Sequence, residues 1–267
     1  RHGWRAAVAA SKMTEGKVMT DQDAPRTLSI DIGGTHLKAS VLDGAGKMLV
    51  GEVKVKTPYP CPPKVMLKAL MRMLDTIKEY DRVSVGFPGV VAQGNVLTAP
   101  HFGNKVWRNY PLAEALADQL DKPVRLLNDA EVQGYGVIVG RGLELVLTLG
   151  TGAGTALFRD GELMPHMELA QHPIRGKKTY NEYIGDKALE KKGKRKWSRR
   201  VRRVIKTLHR LLNHDVLYIG GGNSRAVKDP PNGVFIVDNT AGITGGVRLW
   251  GNAPSRDQGA IAVSTGQ

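Results

Sequence analysis

The feature that most constrains this chain is a glycine turn that occurs twice at the same point of a strand pattern. Leu28 to Ile32 is an apolar, β-branched run that ends in Gly33-Gly34-Thr35 and resumes through Leu37 to Leu42. Leu145 to Leu149 ends in Gly150-Thr151-Gly152-Ala153-Gly154 and resumes through Thr155 to Phe158. The apolar runs call for strands, and the glycines call for a backbone that turns sharply or lets something come close. Each turn alone reads equally well as an ordinary hairpin or as a phosphate cradle whose N–H groups point at an anion. Their recurrence at equivalent points favours the cradle, because hairpin geometry does not require a matched partner.

The surroundings of the two turns repeat in part. After the first, Asp43-Gly44-Ala45-Gly46 turns the chain into a third strand expected over Met48 to Val53. Val65, Leu67, Leu70, Met71, Leu74 and Ile77 then predict a helix over Val65 to Tyr80. A strand at Val83 to Val85, a helix at Leu112 to Leu120 and a strand at Val124 to Leu127 complete a βββαβαβ order. After the second turn come Asp160-Gly161, a helix expected over Lys196 to Leu212 and a strand at Val216 to Ile219. Two copies of one topology imply an α/β protein of two lobes facing a cleft. The lobes are expected at 26–140 and 141–267, with a last helix free to pack back on the first. Arg1 to Pro25 is expected to be a disordered tail with Met13 or Met19 as the natural start, since Ala6 to Ala10 is too short and weakly apolar for a signal peptide.

Between the two turns, Asn128-Asp129-Ala130 closes a strand at the carboxyl end, where open α/β sheets bind ligands. Asp129 suits a general base that takes a hydroxyl proton during phosphoryl transfer, and the same residues also fit an Asx-type helix cap. Asp31 at the first turn can hold Mg²⁺ through water.

Composition narrows the class. The one cysteine, Cys61, excludes a disulfide framework and any multi-cysteine zinc cluster, and it fits a reducing compartment. No apolar run is long enough to cross a bilayer, so a soluble, cytoplasmic protein without membrane partners is expected. The net charge is +14, and Lys187 to Arg210 holds 12 Lys or Arg against the single acid Glu190. Within it Val201, Val204, Ile205, Leu208, Leu211 and Leu212 recur at helical spacing and leave the basic residues on the other faces. Such a face is either plain solvated surface or a track for a polyanion; solubility faces normally mix signs. The track would comprise Lys192, Lys194, Arg195, Lys196, Arg199, Arg200 and Arg203, with Lys177 and Lys178 beside it. Nucleic acid is the weaker partner, because Trp197 is the one aromatic in the patch.

Together, Asp31 to Thr35, Gly86-Phe87-Pro88-Gly89, Asn128-Asp129-Ala130, Gly150 to Gly154 and Gly220-Gly221-Gly222-Asn223 resemble the ROK sugar kinases of the actin-like ATPase and hexokinase superfamily. The likeness covers nearly everything after Arg26. Leu127 to Gly136, Leu147 to Phe158 and Glu168 to Pro173 look most like the bacterial glucokinases and glucomannokinases that use inorganic polyphosphate. The resemblance implies a two-lobed, ribonuclease H-like fold and transfer to the 6-hydroxyl of glucose, with mannose as the alternative. It also implies polyphosphate, ATP or both as donor, Mg²⁺ as cofactor, and a homodimer. By the same resemblance Asp129 is the base, Asn128 holds a neighbouring hydroxyl, Gly89 lines the sugar pocket and Glu168 accepts from sugar hydroxyls. Gly33, Gly34, Thr35 and Lys38 face the terminal phosphates, and Gly150, Thr151, Gly152, Gly154, Gly221 and Gly222 hold the donor from the other lobe.

The chain departs from the pattern at two places. Many relatives have a histidine where this chain has Gln171, followed by a zinc-binding cysteine cluster that is absent here, so either Gln171 or His172 takes the sugar contact and structural zinc is not expected. Many have Asn at His101, so His101 or Asn104 supplies that polar group. The family also contains repressors with an N-terminal winged helix-turn-helix, for which Arg1 to Arg26 is too short. An ATP-only hexokinase and a non-catalytic polyanion-binding homologue are the alternative readings.

Overall fold

The structure is a computed structural model that describes residues 24–251. The tail expected over Arg1 to Pro25 lies outside the described residues except for Ala24 and Pro25. The first sheet is built from β1 (Thr27–Ile32), β2 (His36–Leu42), β3 (Val53–Lys56), β4 (Arg82–Phe87) and, later in the chain, β7 (Val124–Asn128), in the order β3-β2-β1-β4-β7. β1 runs antiparallel to β2 but parallel to β4, because α1 (Pro63–Leu74) carries the chain back across one face. Between β4 and β7 come the small hairpin β5 (Val91–Ala92) and β6 (Asn95–Val96), α2 (Asn104–Trp107) and α3 (Leu112–Leu120). The apolar positions of α1 and α3, among them Met66, Leu70, Leu112 and Leu116, bury against Leu28, Ile30, Val83 and Val85 of the sheet.

α4 (Asp129–Tyr135) follows β7 directly and leads into the second sheet. That sheet has the order β10-β9-β8-β13-β14, made of β8 (Leu143–Leu149), β9 (Ala153–Arg159), β10 (Glu162–Leu163), β13 (Val216–Gly220) and β14 (Val234–Ile236). The intervening chain forms the two-stranded β11 (Pro173–Arg175) and β12 (Lys178–Thr179), then α5 (Tyr180–Ile184) and α6 (Asp186–Leu212). Trp197, Val201, Val204, Ile205 and Leu208 of α6 are buried against Leu145, Leu147, Leu217 and Ile219, and the Trp197 indole N–H donates to Ile184 O at 2.8 Å.

Three elements differ from the sequence expectation. The third strand is Val53–Lys56 rather than Met48 to Val53, because Asp43 Oδ1 accepts from the N–H groups of both Ala45 and Lys47 and holds a wide loop. α1 ends at Leu74, six residues before the expected Tyr80, and Glu79 beyond it takes a left-handed backbone. α6 begins at Asp186, ten residues before Lys196, and is interrupted at Gly193, where φ is 70°.

The C-terminal α7 (Ala241–Thr244) and the 3₁₀ turn Gly245–Trp250 lie against the first sheet. Ser29 Oγ donates to Ile243 O and Ser84 Oγ to Gly246 O, each at 2.7 Å, while the Trp250 ring is covered by the guanidinium groups of Arg82 and Arg125. This close crossing needs glycine at position 245, where a Cβ would overlap Val132 O of α4. No helix among the described residues is long and apolar enough to cross a membrane.

Candidate functional site

Both glycine turns open into one cleft of about 400 Å³ between the sheets. The first turn is tied down by Gly33 N–H donating to His36 O at 3.0 Å and Thr57 Oγ1 donating to Gly33 O at 2.7 Å. A Cβ on Gly33 would stand 2.8 Å from His36 O, so this tight turn requires glycine. The β1–β2 register sets Asp31 opposite Lys38 and leaves the ammonium 3.7 Å from the carboxylate. Burial raises the Asp31 carboxyl to about 6 against the opposing pull of Lys38.

The second turn is held from three directions. Gly154 N–H donates to Thr148 Oγ1 at 3.0 Å, Ala153 N–H to Asn181 Oδ1 at 2.6 Å, and Asp186 N–H to Gly150 O at 3.0 Å. Gly221, with φ 83°, passes so close to Leu149 that no side chain fits. The two turns nearly touch: a Cβ on Gly34 would be 3.4 Å from Thr151 Oγ1 and 3.7 Å from His101. His101 also stands 3.7 Å from the corresponding position of Gly152, and burial holds its imidazole below the usual histidine range.

Asn128 and Asp129 mark the start of α4. Asn128 is the N-cap, its Oδ1 accepting from Ala130 N at 2.9 Å and its Nδ2 donating to Gly89 O at 3.1 Å, while Glu131 Oε2 accepts from Asn128 N at 3.1 Å. Asp129 is the first helical residue and its carboxylate lines the cleft. Burial and the facing Asp31 raise it to about 7; the Ala130 N–H opposes the rise, and Glu168 and Glu131 add to it. Gly86 of β4 packs against the start of α4, where a Cβ would stand 3.4 Å from Asp129 Cα, an ordinary contact distance. At Gly89 any Cβ would overlap Thr98 O.

Of the residues singled out from sequence, Asp31, Gly33, Gly34, Thr35, Lys38, Gly89, His101, Asn128, Asp129, Gly150, Thr151, Gly152, Gly154, Glu168, Gln171, Gly221 and Gly222 line this cleft. Asn104 and His172 are not among its lining residues. The Asn104 side chain accepts from Ala99 N at 2.7 Å, and the His172 ring packs edge-on to Tyr180 at 5.9 Å. Of the two alternatives at each place, it is His101 and Gln171 that reach the cleft.

On α6, Lys192, Lys194, Arg195, Lys196, Arg199 and Arg203 are exposed. Arg200 is half-buried, its guanidinium 4.6 Å from the Tyr183 ring centre and donating to Tyr183 O at 3.2 Å, so it is spent on packing.

The cleft also contains residues the sequence did not single out: His36, Lys54, Gln133, Asn181, Asp186 and Asn239. Lys54 enters because it pairs with Lys38 across β2 and β3, a register hidden by the misplaced third strand. Asn181 comes from the first turn of α5 and Asp186 is the first residue of α6, where nothing in the local sequence pattern marks them. Among the described residues no group of three His, Cys, Asp or Glu side chains is arranged to hold a metal.

The family model described as "ROK family" matches residues 27–168. Polyphosphate glucokinase of Mycobacterium leprae is 30% identical over 237 residues, spanning 82% of this chain and 73% of that protein. The crystal structure of inorganic polyphosphate/ATP-glucomannokinase from Arthrobacter sp. strain KM superposes with a TM-score of 0.75 at 31% identity, over 84% of this chain and 97% of the other. A ROK family glucokinase from Streptomyces griseus, solved with glucose and AMPPNP, superposes with a TM-score of 0.71 at 19% identity over 84% of this chain and 98% of the other, a likeness of fold. The two-lobed actin-like architecture expected from the sequence is thus the one this chain adopts.

Proposed function

The chain belongs to the ROK family and is a sugar kinase, a phosphotransferase with an alcohol acceptor, and from that premise we propose that it phosphorylates the 6-hydroxyl of glucose with Asp129 as general base and polyphosphate as a donor beside ATP. The observation that carries this reading is a carboxylate raised to about 7 in the cleft beside two anchored glycine turns. A base near neutrality is matched to taking a hydroxyl proton. In the step itself the O6–H proton passes to Asp129 and O6 bonds to the terminal phosphorus of the donor. The bond from that phosphorus to its bridging oxygen breaks, and the shortened donor leaves as the anion.

The backbone N–H groups of the two turns and the ammonium of Lys38 would hold the phosphates in line, which is the chief catalytic contribution in this chemistry. Glu168 and Gln171 would bind the sugar hydroxyls, with Gly89 shaping the pocket wall. Asp31, a half-buried carboxylate 3.7 Å from the Lys38 ammonium and facing Asp129, suits a cation that arrives with the phosphates and keeps most of its waters. Mg²⁺ bound there would neutralise charge on the transferring group.

Polyphosphate is favoured by the exposed basic face of α6, whose Lys192, Lys194, Arg195, Lys196, Arg199 and Arg203 have no ion-pair partner among the described residues. A run of cations attracts a polyanion and gains from released counterions. The same activity in the relatives named above points the same way.

The test is a donor panel, ATP against polyphosphates of several lengths, with glucose and mannose as acceptors and Asp129→Asn as control. Transfer to glucose from polyphosphate that rises with chain length and falls with salt is the expected result. Activity with ATP alone would overturn the donor assignment, and undiminished turnover in Asp129→Asn would overturn the base.

A further inference from the structure

One cluster at the edge of the cleft is not used by the roles above. His166 stands between two carboxylates: its Nδ1 is 2.6 Å from Glu131 Oε1 and its Nε2 is 3.0 Å from Glu168 Oε1. Glu131 is almost fully buried, and its other oxygen accepts from Asn128 N at the start of α4. Glu168 is more open and lines the cleft. Among the described residues His166 is the one side chain bonded to the Glu168 carboxylate. A backbone N–H, two carboxylates and an imidazole therefore form a continuous chain from the Asn128-Asp129 turn to Glu168.

Both ring nitrogens face acceptors, so both carry protons and the ring is an imidazolium. Burial alone would lower its pKa, but the hydrogen bonds to Glu131 and Glu168 prevail and raise it to about 10.

We propose that His166 is the positioning residue of the acceptor site, a charged clamp that fixes the Glu168 carboxylate toward the sugar and ties it to the helix turn that bears Asp129. This rests on the sugar-kinase reading given above. The clamp orients Glu168 without a flexible search, and its one positive charge, shared between Glu131 and Glu168, offsets part of the negative charge around the base. The groups facing Asp129 are Asp31 from β1, Glu131 on its own helix and Glu168 ahead of the 3₁₀ turn Leu169–Gln171, with Lys38 of β2 paired to Asp31. Loss of the imidazolium leaves Glu131 and Glu168 uncompensated, which makes Asp129 harder to ionise.

The experiment compares wild type with His166→Gln and His166→Ala. In variants whose thermal unfolding shows they are folded, the glucose KM should rise roughly tenfold or more, the loss expected for a hydrogen bond to a charged group. The donor KM should stay within about twofold, and the acidic limb of the kcat/KM profile should move up by about half a unit. His166→Gln, which keeps one hydrogen bond, should lose less than His166→Ala. Unchanged glucose KM and acidic limb, or equal damage to donor and acceptor binding, would overturn the proposal. NMR titration of the His166 ring in wild type gives a readout that needs no turnover: an imidazole titrating at the ordinary histidine value refutes the clamp. A wild-type protein that phosphorylates no hexose would instead refute the acceptor reading, and the ring titration would still decide the clamp.

Discussion

Asp129→Asn removes a charge from a place where the folded chain resists it. The carboxyl is raised from 3.8 to about 7, first by burial and then by Asp31, so its ionised form counts against the native state. The sign follows directly. Below the unfolded value the group is protonated in both states and costs nothing; as pH rises toward 7 the cost grows, and above 7 it is complete. A shift of this size has a ceiling of about 4 kcal/mol. The carboxylate borders an open cleft, so screening by solvent reduces this to about 2 kcal/mol. Asn keeps the acceptor for Ala130 N but gives up a negative charge at the first position of α4, which returns about 0.5 kcal/mol. The net gain at pH 8 is therefore about 1–2 kcal/mol, or roughly 2–6 °C in Tm for a chain of this size. At pH 5 the gain should shrink to about a third, because the wild-type carboxyl is then mostly protonated in the native state. Urea unfolding of both proteins at the two pH values measures it. A variant no more stable than wild type at pH 8, or one equally stabilised at both pH values, would refute the reasoning.

Gly154→Ala places a Cβ 2.6 Å from Thr148 Oγ1 and 3.2 Å from Ala130 Cβ, so the second turn must move. Steady-state kinetics should show kcat reduced by at least about tenfold and the donor KM raised, while calorimetric glucose binding is preserved. Replacing Lys194, Lys196, Arg199 and Arg203 together by Gln should weaken polyphosphate, lower the slope of log KM against log salt by about 0.7 for each phosphate that is no longer neutralised, and leave ATP kinetics unchanged. Trp197→Ala removes a fully buried ring and its hydrogen bond to Ile184 O, and should cost about 3–5 kcal/mol in denaturant unfolding.

The first glycine turn and the Gly220-Gly221-Gly222 run were legible because backbone demands leave a direct mark on sequence. At Gly33 and Gly221 the chain passes too close to its own backbone for a side chain, and no other residue type satisfies that. α3 was legible too, since its apolar spacing and its boundaries coincide. The third strand was not, because Met48 to Val53 has the composition of a strand while Asp43 uses its side chain to hold a loop through that region. That error concealed Lys54, whose place in the cleft depends wholly on β2–β3 register. Asn181 and Asp186 were missed for a different reason: they meet the second turn through contacts 28 and 36 residues away in sequence, which local periodicity cannot register. Of the residues read as the track, Arg200 is instead committed to Tyr183, and the neighbouring Arg202 is bound to Asp229 and Lys228 O.

At Asn128-Asp129 the sequence admitted two readings, a helix cap or a catalytic carboxylate, and the structure gives the cap to Asn128 and leaves the Asp129 carboxylate lining the cleft. Asn128 performs the capping: its carbonyl oxygen takes the Ala130 N–H, and its amide bonds to Gly89 O with a longer contact to Phe87 O. Glu131 closes the box from the other side. With the helix start satisfied in this way, Asp129 is bound by the local backbone only through its own neighbour Ala130, and the remaining oxygen is free to face the cleft. A carboxylate used as the cap would instead be held low by the orphan N–H groups of the helix and would be a poor base at neutral pH. For the base proposed above, the cap is thus a condition rather than a rival: because Asn128 satisfies the helix, burial and Asp31 are left to dominate the environment of Asp129 and to raise it to the range where proton abstraction is useful.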